Sequence, residues 1–361
     1  MNSRSLKLGE QNENAEILVP RVSWFGRNIL PPRSHQGVFR RSEPMEADKH
    51  SLVPVVFELH TGWQIREEGR LIMDFIDHHF AAFSEAFNIL ELIGLVFLIA
   101  IVSETVWDFF SGARRKLGES FANYAIALGN ILLERTVYGL VFVIMLVTIS
   151  YLLPYHLPVT WWTWMLAVLV ADFTHYWMHR WEHEVRFLWA YHSVHHSSPE
   201  YNLTTALRLG WVEGFIEWVF FVPMILIGFD VVQAIIAISI VVAYQTWIHT
   251  EKVGKLGWAD RVFNTPSVHR VHHGSNSRYL DKNYGGILII WDRLFGTYQA
   301  EDEKVTYGIT NPLETSNPLI INFHEFWAIG RDVKNADTWR DAFGYVFRGP
   351  GWSPARKEQN K

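Results

Sequence analysis

The chain has 361 residues, 49% of them hydrophobic and 15% aromatic, with 17 tryptophans, a balance that leans towards a membrane protein. A net charge of −5 offers no broad basic field, which argues against nucleic acid as a partner. Cysteine is absent, so disulfides, thiolate zinc sites, cysteine nucleophiles and cysteine-held iron–sulfur clusters are excluded, and any metal must be held by histidine or carboxylate.

Residues 1–85 are mixed and polar, with Pro20, Pro31 and Pro32, and read as a flexible or weakly ordered N-terminal extension. The first long apolar segment runs from about Phe87 to Phe110, interrupted by Glu91 and Glu104. The basic cluster Arg114-Arg115-Lys116 follows it, which assigns that end to the cytoplasm. A second segment, about Thr136 to Leu153, stops at Pro154, and a third, about Val159 to Asp172, starts after Pro158. The short proline-bounded link between them predicts a hairpin on the far side. The stretch from about Gly214 to Ile248 is too long for one crossing and is broken near Gly228-Phe229-Asp230, which predicts a second hairpin. Both hairpins return their histidines to one side. The expected fold is all-α, with about four to five membrane spans or re-entrant hairpins and a cytosolic helical dome. A membrane-embedded catalytic domain over 86–305 and a C-terminal cytosolic tail over 306–361, with Pro350 and Pro354, complete the division.

Ten of the 17 histidines lie between His175 and His273. His175, His179 and His183 recur every four residues along a predicted helix and so share a face. His192-x-x-His195-His196 and His269-x-x-His272-His273 each place imidazoles at i, i+3 and i+4, so that either triplet can offer three to one small volume. Eight or nine imidazoles exceed what one ion uses, and two metals are the natural count. Apolar surroundings without thiolate point to redox iron acting on dioxygen rather than to a hydrolytic zinc. A structural zinc cluster is the competing non-enzymatic reading.

Other motifs are missing. No histidine has glutamate three residues before it, as soluble di-iron bundles require, and the zinc-protease pattern, GxSxG and a P-loop are absent. With no dinucleotide fingerprint either, reducing electrons are expected from a separate protein or a diffusible reductant.

At these residues the chain resembles the fatty acid hydroxylase and sterol desaturase superfamily, whose pattern is HxxxH, HxxHH, a lone histidine, then HxxHH. The strings DFTHYWMHRWEH, HHSSPEYNLTTALR, WIHTEKVGKLG, FNTPSVHRVHHG and DKNYGGILIIWDRLFGTY are similar to the alkylglycerol monooxygenase-like branch and its bacterial relatives. The resemblance implies a membrane enzyme with two irons that uses O2 to hydroxylate or desaturate a membrane lipid. It implies an external electron donor, with tetrahydrobiopterin one option. It assigns metal binding to His179, His183, His192, His195, His196, His249, His269, His272 and His273, with His249 as the lone intermediate histidine and His175 left outside. Glu184, beside the first pair, is the expected carboxylate partner of a ligand imidazole, and Asp172, Asn202, Asn264, Asp281 and Asn283 lie in the matched strings as candidates for the same task. The membrane is expected to be the endoplasmic reticulum or a bacterial cytoplasmic membrane. The different-class alternative is a non-catalytic metal- or lipid-binding membrane protein that keeps the fold.

Overall fold

A computed structural model describes residues 91–355, apart from 113–114, 134–136 and 138. The expected extension over 1–85 lies outside the described residues. Every regular element described is helical, with two isolated β-bridges, Phe263 to Leu288 and Gly274 to Tyr307. In chain order the α-helices are α1 (Glu91–Phe110), α2 (Leu117–Leu133), α3 (Gly139–Leu152), α4 (Trp161–Glu184), α5 (Arg186–His196), α6 (Trp218–Ile227), α7 (Val231–Ile248), α8 (Pro266–His272), α9 (Ile290–Phe295), α10 (Pro318–Lys334) and α11 (Trp339–Phe347).

Local chemistry sets the helix ends. Thr160 and Thr163 form a capping box at the start of α4, the Thr160 N–H donating to Thr163 Oγ1 at 2.9 Å. Asp230 caps α7 by accepting from the N–H groups of Val232 and Gln233, and Gly228 ends α6 at φ 104, a conformation that favours glycine. Asn317 caps α10 with Pro318 in its first turn, and Thr338 caps α11.

Both expected hairpins are present. The Leu157 N–H donates to Gly228 O at 2.7 Å and Tyr155 Oη to Leu226 O at 2.5 Å, which joins the α3–α4 and α6–α7 turns at one pole. The C-terminal end of α4, His249 after α7, and α8 gather at the other. Between the poles α3, α4, α6 and α7 share one apolar core that includes Leu146, Met178, Phe221, Met224 and Ile238. Ala167 and Ala171 of α4 and Ala234 and Ala237 of α7 are fully buried in it, small side chains that let helix backbones approach.

Among the described residues two helices, α1 and α7, are long and apolar enough to cross a membrane. At a rise of about 1.5 Å per residue, the 14 residues of α3 and the 10 of α6 extend only about 21 and 15 Å, less than a bilayer core. The third apolar segment is the first half of α4, whose 24 residues carry on without a break into the histidines. Two features were not anticipated. A helix, α2, lies between the first two apolar segments, and the stretch expected as a tail carries α10 and α11, which pack on α5.

Candidate metal centre

All nine histidines that the resemblance selects come together, buried, in two groups. His179, His183, His192, His196 and His272 form one, and His195, His249, His269 and His273 the other. Within each group one nitrogen per residue lies within 4.8 Å of the rest. The helices explain the division. Adjacent residues on a helix point about 100° apart, so each His-His doublet must split. His196 joins the first group and His195 the second; His272 joins the first and His273 the second. Each HxxHH triplet therefore serves both groups rather than one volume, and α5 and α8 stitch the two together.

Nitrogen spacing carries the chemistry. In the first group Nε2 of His192 lies 3.1 Å from Nε2 of both His179 and His196, and Nε2 of His272 is 3.0 Å from that of His196. In the second, Nε2 of His249 is 3.1 Å from those of His195 and His269, and His269 and His273 are separated by 3.2 Å. With a bond of about 2.1 Å from metal to imidazole, nitrogens at right angles sit about 3.0 Å apart and tetrahedral ones about 3.4 Å apart. The observed spacing favours a five- or six-coordinate ion.

The opposite edges of the rings fix the tautomers. His179 Nδ1 is 2.9 Å from Tyr284 O, His272 Nδ1 is 2.9 Å from Lys282 O, and His249 Nδ1 is 2.7 Å from Gln245 O. A carbonyl only accepts, so each Nδ1 carries the proton and each Nε2 is left with a free lone pair facing its group. Nε2 of His183 is buried with no hydrogen-bond partner, as a ligand nitrogen should be. Burial, reinforced by the neighbouring imidazoles, pulls His269, His272 and His273 well below the ordinary histidine pKa, and burial holds His249 down to about 4. These four rings are therefore neutral at physiological pH, the form that binds metal.

One loop does much of this orienting. Residues 281–285 supply the carbonyls of Lys282 and Tyr284 and bring Asp281 Oδ1 to 3.6 Å from His183 Nδ1. The loop bends through Asp281 and Asn283, both at positive φ (58° and 61°), a region that asparagine and aspartate tolerate better than most residues. Asp292 of α9 holds it from outside, accepting from the N–H groups of Tyr284 and Gly285, each at 2.8 Å, and from Thr297 Oγ1 at 2.6 Å. Arg270, between His269 and His272 of α8, donates to the carbonyls of Thr250 and Val253 and to Glu301, and so ties the segment after His249 to α8.

The other sequence candidates separate by role. Glu184 is exposed and pairs with Arg180 Nε at 2.8 Å, whereas the buried Glu182, not singled out from the sequence, brings Oε2 to 3.3 Å from His192 Nδ1. Asn264 Nδ2 stands 3.3 Å from His269 Nδ1 and donates to Gly285 O. Asp172, two turns before His179, accepts from the N–H groups of Ile287 and Leu288 and from Trp291 Nε1, anchoring the segment that leads into α9. Asn283 donates to Val268 O and Gln299 O, and Asn202 caps the short 3-10 helix Leu203–Leu207. His175 is buried one turn from His179, outside both groups; the Gln245 side chain approaches its ring, but neither nitrogen makes a well-formed hydrogen bond.

The fatty acid hydroxylase family matches residues 164–297, a span that contains all nine grouped histidines and the 281–285 loop. The chain is 45% identical to the human alkylglycerol monooxygenase over 204 residues, 56% of this chain and 45% of that protein. The alkylglycerol monooxygenase of Caenorhabditis elegans is 39% identical over 222 residues, 56% of this chain and 41% of that protein. A bacterial relative, the ornithine lipid hydroxylase of Rhizobium tropici, is 29% identical over 151 residues, 40% of this chain and 45% of that protein. The match thus spans less than half the length of each of these relatives. No solved structure matches the chain.

Proposed function

We propose that the chain is a membrane-bound di-iron oxygenase that uses O2 and external electrons to hydroxylate an unactivated C–H bond of a membrane lipid. The observation that carries this reading is the pair of buried all-histidine groups whose neutral nitrogens are spaced for two ions of coordination number five or six. Two irons held there would supply activation of dioxygen and removal of hydrogen from carbon. The chain's own part is to fix the ligand tautomers through Tyr284 O, Lys282 O and Gln245 O and to keep bulk water from the imidazoles by burial. Relatives named as monooxygenase and lipid hydroxylase favour hydroxylation, and the sterol desaturase of Eremothecium gossypii, 27% identical over 143 residues, keeps desaturation as the second outcome of the same chemistry.

In this reading α1, α4 and α7 cross the bilayer, α3 and α6 line them as shorter segments, and the basic residues after α1 put the histidine pole on the cytoplasmic side. An apolar substrate then approaches from the bilayer and a reductant from the cytoplasm, meeting at the interface.

Elemental analysis of detergent-purified protein is expected to give close to two irons per chain, with loss in the His272→Ala variant, and extracted lipids incubated with 18O2 should gain one labelled oxygen. Full turnover by His272→Ala, or a protein that holds no metal after iron reconstitution, would overturn the proposal in favour of a non-catalytic lipid- or metal-binding protein.

A further inference from the structure

Helix α2 turns an apolar stripe outwards while burying polar side chains beside Ala122 and Ile126. Glu119, Ser120 and Asn123 are buried, while Leu117, Phe121 and Leu128 are exposed, at 76%, 67% and 59%. Their spacing of four and seven residues puts the exposed side chains on one stripe.

The position of α2 in the chain restricts what it can do. The end of α1 is fastened to the histidine pole: Lys252 Nζ lies 2.6 Å from Asp108, Thr250 Oγ1 donates to Glu104 at 3.0 Å, and Arg115 pairs with both acids. Helix α3 ends at the opposite pole, where the two turns meet, so it starts at the histidine pole. A segment that begins and ends at one pole makes no net crossing, although its outer face carries an exposed apolar stripe.

We propose that α2 lies in the plane of the bilayer surface at the histidine pole, its Leu117–Phe121–Leu128 stripe among lipid acyl chains. The inference rests on the membrane reading above. Lipid is the occupant favoured because α2 meets α1, the most exposed apolar helix, at the contact of Tyr124 Oη with Thr105 Oγ1 (3.2 Å), so the two apolar surfaces adjoin. An amphipathic helix with a buried polar edge is suited to this depth.

The polar edge of α2 reaches the metal centre through one side chain. Arg208, almost wholly buried, donates to Glu119 Oε2 and Asn123 Oδ1 on α2, each at 2.9 Å, and to Val194 O and Ser197 Oγ at the end of α5. That end of α5 carries His195 and His196. The helix facing the lipid is therefore clamped to the helix holding the ligands.

Because the chain contains no cysteine, Leu117→Cys, Phe121→Cys and Leu128→Cys can each carry a single nitroxide. Full-length protein in vesicles of phosphatidylcholine and phosphatidylglycerol would be probed by electron paramagnetic resonance with oxygen and a nickel chelate as relaxing agents, and Leu98→Cys on α1 would serve as the reference. The expected result is preferential relaxation by oxygen at all three α2 sites, at depths equal within a few ångström and shallower than Leu98. A spanning helix would instead show a depth change of about 16 Å between 117 and 128. Preferential relaxation by the nickel chelate, or shielding from both agents as a protein partner would give, also overturns the proposal. If Leu98 itself reports water, the membrane reading fails first; if Leu98 is deep and α2 is wet, only this inference fails.

Discussion

Oε2 of Glu182 lies 3.3 Å from Nδ1 of His192, and its other oxygen accepts from Tyr191 Oη at 3.0 Å. The carboxylate therefore holds the outer edge of the imidazole whose Nε2 stands 3.1 Å from two other ligand nitrogens of the first group. Such outer contacts set ring orientation and raise ligand basicity.

Replacing Glu182 with leucine removes the carboxylate that meets that edge of His192 while filling the space. Iron affinity at the first group is expected to fall by about 10–100-fold, with the second group unaffected. Glu182→Gln, which keeps an acceptor oxygen, should fall less. Titration of metal-free protein against a competing chelator measures both, and equal affinities for leucine and wild type would remove Glu182 from the supporting set.

His175 gives the opposite expectation from His179. It lies outside both groups, and although the Gln245 side chain approaches it, its buried nitrogens make no well-formed hydrogen bond. An apolar side chain of similar size avoids the desolvation cost of about 1–3 kcal/mol for an unpaired buried polar group. His175→Leu should thus keep wild-type iron content and unfold no earlier on heating, whereas His179→Ala should lose metal. Loss of iron in His175→Leu would make it a ligand after all.

Burial raises Asp292 from 3.8 to about 6. Between those values the folded protein holds a proton that the unfolded chain has released, so this group's contribution to stability is fully present below pH 4 and is lost as pH rises to about 6. Two units correspond to about 3 kcal/mol. The unfolding free energy of wild type relative to Asp292→Asn should fall by this amount as pH rises from about 4 to about 6 and hold constant above it; a constant difference throughout would refute the assignment.

The Arg208 guanidinium neutralises the buried Glu119. Arg208→Met leaves that carboxylate alone in the interior, a loss of about 3–5 kcal/mol for a broken buried pair. The double variant Arg208→Met with Glu119→Met removes both charges and should recover part of it, which thermal unfolding of the two proteins will measure.

Legibility in the sequence followed the range of the interactions. The His179 and His183 pair, the two triplets and the break at Gly228 are periodic or local, and each could be read directly. The sharing of each triplet between two groups depends on the angle between adjacent helical residues and on which helix stands opposite, so the sequence alone suggested three imidazoles to one volume. Glu182 was passed over for Glu184 because one residue along a helix is a rotation of about 100°, and only the placement of α5 decides which of the two faces His192. Helix α2 was missed because its buried Glu119 and Asn123 break up the apolar run that marks a span.

The carbonyls that hold His179 and His272 belong to the main chain of Tyr284 and Lys282, so the side chains at those positions are not what orients the ligands. Substitution scanning will therefore see a discontinuity: the imidazoles and the bend at Asp281 and Asn283 should tolerate little, while position 282 between them accepts most residues except proline. A ligand cradle made of backbone is nearly invisible to mutation at the residue that provides it, and it is left free to diversify at its surface while its inner geometry stays fixed.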